Sequence, residues 1–452
     1  MGIKSQRIIF IFLVIVVVAF SLLKKPFGNP DEGAHFLRAY EVSHFHLINR
    51  EGDIGVGINC QDYFSAAKKH FLIAWYQPES ESLDANCMVK SINSAGTYPP
   101  LPYLPLAISL SVSKLMHLSV EHSVYFMRIV NGFSCLFLIY FFSSRVLLGQ
   151  HSVSVLLILA MLPMALSLWA SVSADALTLA LCLCFIFYIL SFDYSRASLI
   201  KRKEWILLYL LAFAIGNSKV GYSMITITPL VLHFCCNGFM VFRNSLIRST
   251  LLLMGCVLLA VGTSIVWVKF TDKSLVYLGN GAVPLEQICF VLRNPLYFIS
   301  LSLSTVFDVK QLYSTILPLH YGLNGMYMII AFWLLLVNLF FACLTNPHFN
   351  VPNNFSCVSR TSCFAFSLML FFIFGIVLSL PLYLTYNPVA YDNLLGFQGR
   401  YLLPILPILV VSLLAISMSN LINNDLKQIL SLTTFVIPAV TNIAIIIRML
   451  IR

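Results

Sequence analysis

The stretch IIFIFLVIVVVAFSLL, residues 8–23, contains a single polar side chain and decides how the rest of the chain is interpreted. Basic residues flank it on both sides: Lys4, Arg7, Lys24 and Lys25. Such a stretch near the N-terminus resembles a secretory signal, but no small-x-small cleavage site follows it. We therefore predict an uncleaved first transmembrane helix, residues 1–23, with its N-terminus in the cytoplasm.

The composition extends this pattern to the whole chain. Of 452 residues, 59% are hydrophobic and 10% are charged, with a mean hydropathy of +0.87, whereas about a quarter of the residues in soluble domains are charged. This predicts an all-α polytopic membrane protein. The net charge of +10 is interpreted as an orientation signal rather than a nucleic-acid site. No phosphate-binding glycine loop is present, which argues against an ATP-driven transporter.

Residues 24–122 form the most polar segment, with ten of the eighteen acidic residues. We assign this segment to a large periplasmic loop. Within it, residues 101–118 are apolar enough to cross a membrane, but they follow and contain several prolines and include Lys114 and His117. We interpret them as juxtamembrane helices at the outer interface. If they crossed, every later segment would face the opposite side.

Ten further apolar segments are predicted to span the membrane, which gives eleven spans. With this topology the inner connections contain eleven Lys or Arg residues and the short outer connections contain two, as the positive-inside rule requires. Spans two to seven occupy residues 123–268, a second periplasmic segment residues 269–321, and spans eight to eleven residues 322–452. The predicted spans after the first are 124–148, 153–170, 176–192, 205–217, 220–241, 251–268, 322–344, 362–385, 401–420 and 429–447.

Two features of the outer segments stay open. The apolar stretch 288–306 is interrupted by Arg293, Asn294 and Pro295, which favours an interfacial position over a crossing helix.

The twelve cysteines show no spacing typical of a metal site. Cys60 and Cys87 share the large loop, where a disulfide and two free thiols are both compatible with an oxidising compartment.

The sequence NPDEGAH, residues 29–35, lies directly outside the first span. It is typical of a helix start, with Asn29 as N-cap, Pro30 as the first helical residue and two acids in the first turn. Such a cap also fixes a carboxylate of Asp31 or Glu32 at the membrane surface, with His35 one turn further on. A carboxylate held there can serve as a general base toward a hydroxyl group.

Four more ionisable residues require a partner or an interface. Asp175 begins a span and is typical of a helix N-terminal acid. Lys219 follows a predicted span shorter than the ~20 residues that cross a bilayer, so it either extends outward or faces an anion in a wet cavity. Arg128 lies one turn into a span, where an unpaired guanidinium is costly. Arg400 begins a span, where alone it would be an interfacial anchor.

What distinguishes these residues is their common location. In the topology derived from loop charges, all of them lie at the outer ends of their helices, and the predicted spans from residue 251 onward contain no acid or base. Acids and bases gathered at one membrane face suit a substrate with a lipid tail and a phosphate head. Cations bind the phosphate and a carboxylate accepts a proton from the attacking group.

Several motifs cover most of the chain: PDEGAH (30–35), YPPLPYLP (98–105), Arg128 with Asn131, LPM (162–164) leading to Asp175, Lys219, and QGRYLLP (398–404). Together they resemble the bacterial membrane-protein family labelled domain of unknown function 2142, a branch of the GT-C superfamily of glycosyltransferases. Within it, the chain is similar to the serotype-converting O-antigen glucosyltransferases carried by phages of enteric bacteria. Gly33 departs from the family pattern, which more often has proline, so a less rigid loop is expected.

The resemblance implies a GT-C-like fold and an inverting transfer of a sugar, glucose by this analogy, from undecaprenyl phosphate. The acceptor would be a lipid-linked or surface polysaccharide such as O-antigen, at the periplasmic face of the bacterial inner membrane. It implies Asp31 as the catalytic base and Glu32 as its alternate or support. The predicted substrate-binding residues are His35, Arg128, Asp175, Lys219, Gln398 and Arg400, with Arg128, Lys219 and Arg400 on the phosphate.

No cofactor is expected. The loop lacks a further acidic pair such as Asp-x-Asp, which favours a metal-free site over one with a divalent cation. The expected partners are the polyprenyl-phosphate-linked donor, the glycan acceptor, the bilayer, and a flippase and a lipid-sugar synthase of the same pathway. A flippase of lipid-linked saccharides, or an O-antigen polymerase or ligase, is the alternative function. The flippase predicts polar residues toward both faces and an internal repeat, neither of which is visible.

Overall fold

The structure, a computed structural model, describes residues 3–48, 94–146, 152–192, 194, 201–238, 241, 244–271, 278–322, 325–345, 357–415 and 424–451. All regular structure in these ranges is helical. The α-helices are α1 Ile3–Leu23, α2 Glu32–Ser43, α3 Leu104–Leu115, α4 Val120–Phe141, α5 Ser152–Ala160, α6 Pro163–Trp169, α7 Ala174–Ile189, α8 Arg202–Gly216, α9 Thr228–Asn237, α10 Asn244–Phe270, α11 Pro284–Arg293, α12 Pro295–Val306, α13 Val309–Ile316, α14 Gly325–Thr345, α15 Cys357–Tyr386, α16 Leu406–Ala415 and α17 Asn424–Ile451. Short 3₁₀ helices connect them at Ser94–Thr97, Leu101–Tyr103, Val220–Ile227, Leu319–Tyr321 and Gly399–Leu402.

Seven helical segments in the described ranges are long and apolar enough to cross a membrane, or eight if α11 and α12 count as one span. They coincide with seven of the eleven predicted spans, so the chain is a helical membrane protein, while the count of eleven is not confirmed. The segments are Gln6–Leu23, Val120–Ser144, Val220–Asn237, Leu246–Phe270, Gly325–Cys343, Thr361–Tyr386 and Thr433–Ile451.

The other four predicted spans correspond to shorter helices. The span 153–170 is divided into α5 and α6, because Pro163 lacks the N–H that would continue the helix and instead begins a new one. Helix α7 has only 16 residues, and every one of them is buried. A helix surrounded by protein on all sides need not match the thickness of the lipid. The remaining two are α8 and α16.

A second, smaller apolar core includes residues of α2, the 3₁₀ helix Leu101–Tyr103, α3 and the start of α4, such as Phe36, Tyr103, Leu110 and Val124. Helix α3 packs on both α2 and α4. The apolar segment Leu101–Leu115 is shorter than the ~20 residues of a membrane-crossing helix. The juxtamembrane position of this segment stays a prediction; the structure shows that its helix packs on α2 and α4.

Helices α11 and α12 are bent by 104° relative to each other. The break falls at Asn294, between Arg293 and Pro295, the residues that interrupt the apolar pattern. Pro295 begins α12 because its ring cannot continue the preceding helix. The segment is therefore not one straight helix. Cys60 and Cys87 lie outside the described residues.

Candidate functional site

Asp31 is the N-cap residue of α2 and has a left-handed backbone, with φ of 57°. Asp and Asn adopt this conformation more readily than other non-glycine residues. The predicted helix start, with Asn29 as N-cap and Pro30 as the first helical residue, was wrong by two residues, because the left-handed backbone of Asp31 does not belong to a right-handed helix and α2 begins at Glu32. The Asp31 side chain forms no capping bond and is 54% exposed. Its carboxylate is accessible for chemistry.

Glu32 is fully buried and pairs with Arg128. The guanidinium donates from Nε to Oε1 at 2.8 Å and from Nη2 to Oε2 at 2.6 Å. The backbone N–H of Val172 donates to Oε1 at 3.0 Å. Burial raises the pKa of Glu32, but the charge and hydrogen bonds of Arg128 lower it more strongly, so the net pKa lies below its ordinary value. Glu32 is held as a carboxylate away from solvent.

Arg128 also binds the end of α1. Its Nη1 donates to the carbonyl oxygens of Ser21 at 2.9 Å and Lys24 at 2.6 Å, and its Nη2 donates to that of Lys25 at 2.8 Å. With the two bonds to Glu32, all five N–H donors of the guanidinium are used. Arg128 therefore joins the end of α1 to the start of α2, with no donor left for a further ligand in this arrangement.

Asp175, at the start of α7, connects two cations that come from distant parts of the chain. Lys219 donates from Nζ to Oδ1 at 2.7 Å, and Nε of Arg400 lies 3.8 Å from Oδ2. Arg400 also donates from Nη2 to the carboxylate of Asp31. The outer loop, α7, the turn before α9 and the turn before α16 thus meet at one cluster, which we call the ionic site: Asp31, His35, Asp175, Lys219 and Arg400.

The two cations of the ionic site keep unused donor capacity. Nε of Arg400 is buried and has no hydrogen-bond partner among the residues that the structure describes. Among the described residues, the Lys219 ammonium forms one hydrogen bond, to Asp175, out of the three it can donate. The ring centres of Tyr401 and Tyr98 lie 4.7 Å and 5.1 Å from its Nζ. In the described part of the chain, two N–H groups of Lys219 are thus available to an anion beside the Tyr98 and Tyr401 rings, whereas Nε of Arg400 is shielded from solvent.

Gly399 fixes the position of Arg400. Its N–H donates to Oγ of Ser314 at 3.1 Å, and its carbonyl oxygen accepts from Oγ1 of Thr315 at 3.0 Å. A Cβ at position 399 would overlap the carbonyl oxygen of Gln311 on α13. Only glycine allows this close approach. Helix α13 thereby anchors the turn that carries Arg400.

His35 is 4% exposed and bonds to the hydroxyl of Tyr103 through Nδ1 at 2.7 Å. Its ring stacks on Tyr98 with centres 5.9 Å apart. Burial lowers the pKa of His35 to about 4, against a raising effect of Asp175. The imidazole is therefore neutral near pH 7.

Sequence reasoning did not assign several residues that shape this site. Tyr98, Tyr103 and Tyr401 supply its aromatic side chains, and buried Arg38 donates to the carbonyl oxygens of Leu47 at 2.6 Å and Tyr98 at 3.3 Å. The available signal was the motif YPPLPYLP, which carries two of these tyrosines. At the level of sequence, this motif entered only as part of the family resemblance.

The structure thus brings five of the eight predicted site residues into the ionic site, with the pair Glu32–Arg128 beside it. Gln398 directly precedes the turn of Arg400, but its half-buried side chain forms no hydrogen bond with the cluster. Within the ranges that the structure describes, no group of three or more His, Cys, Asp and Glu side chains could hold a metal ion. The expectation of a metal-free site stays a prediction.

One comparison with known proteins gives a match. The sequence model of a family described as a predicted membrane protein (DUF2142) matches residues 12–409. No curated protein and no solved structure matches significantly. The matched range includes the ionic site and the pair Glu32–Arg128.

Proposed function

The chain belongs to the DUF2142 family of predicted membrane proteins, and within that family we propose that it is an inverting glycosyltransferase of the GT-C type with eleven spans. It moves glucose from undecaprenyl phosphate to a lipid-linked or surface polysaccharide such as O-antigen. The reaction takes place at the periplasmic face of the bacterial inner membrane and uses no nucleotide.

The observation that carries this proposal is the contact between Asp31 and Arg400. It places an accessible carboxylate beside a cation that also approaches Asp175, the partner of Lys219. A base and two phosphate-binding cations are thereby adjacent at one end of the bundle. This is the set of groups that glycosyl transfer from a lipid phosphate requires.

In the proposed reaction the oxygen of an acceptor hydroxyl forms a bond to the anomeric carbon of the sugar. The bond between that carbon and the phosphate oxygen breaks, and the proton passes to Asp31. The donor phosphodiester carries one negative charge, and the departing polyprenyl phosphate gains a second. Lys219 and Arg400 stabilise this developing charge, because charge-assisted hydrogen bonds strengthen as the acceptor becomes more negative.

The ion pair between Asp31 and Arg400 gives the site an order of events. While Arg400 donates to Asp31, that hydrogen bond occupies one oxygen of the carboxylate. A donor phosphate competes for the guanidinium and releases the Asp31 carboxylate toward the acceptor hydroxyl. The base is thus activated by the arrival of the donor.

Among the three acids, Asp31 is the best candidate for the base. Both oxygens of Glu32 accept hydrogen bonds inside the protein, and the Asp175 side chain is only 7% exposed against 54% for Asp31. Glu32 and Arg128 act as positioning residues that hold the first outer turn. Asp175 orients the two cations.

The test compares Asp31→Asn with Asp392→Asn in bilayer discs. Asn tolerates the left-handed backbone at position 31, and Asp392 is an exposed acid near the turn of Arg400 but outside the ionic site. With undecaprenyl-phosphate-linked labelled glucose and a polysaccharide acceptor, Asp31→Asn should show no transfer above background, and Asp392→Asn should match the wild type. A fully active Asp31→Asn protein would overturn the assignment. In sealed liposomes, labelled lipid that crosses the bilayer without a new glycosidic bond would support a flippase instead.

A further inference from the structure

A groove of about 360 Å³ runs along the outward-facing side of α10. Its walls include Asn217, Leu258, Gly262, Val266, Trp267 and Phe270. All of these except Asn217 belong to the candidate span Leu246–Phe270. The side chains of Leu258, Val266 and Phe270 are 69%, 52% and 63% exposed, so the groove opens toward the lipid hydrocarbon rather than toward the protein core.

The groove exists because α8 is shorter than its neighbour. Gly216, the last residue of α8, lies so close to α10 that a Cβ there would overlap the carbonyl oxygen of Ala260. Oγ of Ser264 donates to the carbonyl oxygen of Gly216 at 2.8 Å. Beyond this contact α8 ends, while α10 continues to Phe270. One face of α10 is therefore left without a helical neighbour from α8.

The groove leads to the ionic site along two paths. Asn217 lines it, and Lys219 is two residues further along the chain. On the other wall, Nε1 of Trp267 donates to the carbonyl oxygen of Thr97 at 2.8 Å. The next residue, Tyr98, has its ring 5.1 Å from the Lys219 ammonium. The apolar groove and the cation site thus share their boundary.

We propose that this groove binds the isoprenoid chain of the polyprenyl phosphate donor, with the phosphate at Lys219 and Arg400. The assignment rests on the proposed function and specifies how the donor is held. An apolar groove with exposed walls, next to the segment that carries Lys219, is complementary to a long hydrocarbon with an anionic head. The volume lies within the ~300–1,000 Å³ of ligand sites and would take the chain segment nearest the phosphate.

Gly262 provides a selective way to close the groove. A Cβ at this position meets no atom within 4 Å, so a larger side chain enters the groove without displacing the protein. Gly262→Phe therefore fills the proposed binding space, and loss of a helical glycine does not weaken the helix. Val268→Phe is the matched control, because Val268 is 53% exposed on the same helix but does not line the groove.

The probe is undecaprenyl phosphate with a photoreactive group in the isoprene units next to the phosphate, added to the purified protein in bilayer discs. Mass spectrometry should place the cross-link on the peptide of residues 258–270 in the wild type and in Val268→Phe. In Gly262→Phe the yield of this cross-link should fall at least about tenfold when the probe is well below saturation, which corresponds to a tenfold higher Kd. Unlabelled undecaprenyl phosphate should compete, and phosphatidylglycerol should not. An undiminished cross-link in Gly262→Phe, or equal competition by phosphatidylglycerol, would overturn the proposal.

Transfer assays separate this inference from the proposed function. Gly262→Phe should raise the KM for the full-length donor and leave unchanged the turnover of a donor in which a methyl group replaces the isoprenoid chain. If the wild type transfers no sugar while the cross-link behaves as expected, the enzymatic proposal fails and the lipid site stands. If transfer occurs but Gly262→Phe leaves the KM of the long donor unchanged, the groove assignment fails and the enzymatic proposal stands.

Discussion

Asp31 and Glu32 are neighbours in the chain, but their carboxylates have opposite surroundings. Glu32 accepts hydrogen bonds from Arg128, Val172 and Asn29 in the interior, whereas Asp31 is half exposed and bonded to Arg400. The left-handed backbone at Asp31 directs the two side chains apart. Two acids that look equivalent in the sequence are thus suited to different tasks, one to structure and one to proton transfer.

Removing the charge of Arg128 should destabilise the protein more than it should weaken donor binding. Arg128→Gln leaves Glu32 buried without its cation, which costs roughly 3–5 kcal/mol. The midpoint of thermal unfolding in detergent should fall, and the KM for the donor should change little in protein that remains folded. The double variant Glu32→Gln/Arg128→Gln should recover part of the stability. A stable Arg128→Gln protein with a strongly raised KM would instead make Arg128 a phosphate ligand.

The lowered pKa of His35 predicts a pH dependence of stability. Burial holds this pKa at about 4, below the ordinary 6.5, so the unfolded chain binds a proton that the folded protein excludes between these values. Stability is therefore lost as the pH falls from about 6.5 toward 4, by up to roughly 3 kcal/mol for this residue. His35→Gln should reduce the fall in unfolding midpoint over this range, and exposed His46→Gln should not. Identical pH profiles for His35→Gln and the wild type would contradict a neutral buried imidazole.

At the scale of elements, the ionic site is built at the ends of helices and in short 3₁₀ turns. Asp31 precedes α2, Asp175 begins α7, Lys219 precedes Val220–Ile227, and Arg400 lies within Gly399–Leu402. Long apolar helices contribute the rigid frame and few ionisable groups. The positions of the side chains in the ionic site therefore depend on how these short turns are anchored to the long helices.

The turn of Arg400 offers a test of this dependence. Gly399→Ala places a Cβ against the carbonyl oxygen of Gln311, so the turn must move away from α13. We expect a loss of about 1–3 kcal/mol in stability and a raised KM for the donor, because Arg400 moves with its turn. Gly375→Ala in α15 is the control, since its Cβ meets only the Val306 side chain, at ordinary van der Waals distances of 3.4 and 3.6 Å. Unchanged kinetics in Gly399→Ala would show that Arg400 is positioned by its ion pairs alone.

The sequence predicted helices at all eleven span positions because apolar runs of this length have few alternatives in lipid. It did not predict that the span 153–170 is divided into two helices before Pro163. Nor did it predict the complete burial of α7, because hydropathy does not distinguish contact with lipid from contact with protein. Loop charge predicted that the ionisable residues share one end of the bundle. Their pairing could not be predicted, because it depends on the backbone at Asp31 and on the contact of Gly399 with α13.

For the whole molecule, the contacts of the ionic site impose a constraint on topology. Asp31, Lys219 and Arg400 must reach the same side of the membrane, together with α3, which packs on α2. Reporter fusions after residues 118 and 394 should therefore both give a periplasmic signal, and a fusion at residue 203 a cytoplasmic one. A cytoplasmic signal at 118 would mean that residues 101–118 cross the membrane.

The pair Asp31–Arg400 joins residues 369 positions apart, which has a consequence for biosynthesis. The acid enters the membrane with the first helix, whereas its guanidinium partner is translated only after most of the bundle. A nascent or truncated chain that ends before residue 400 holds the acid without this cation and cannot assemble the ionic site. Under the proposed function, catalytic competence would therefore arise late in translation, and a half-made protein could not engage the donor lipid productively.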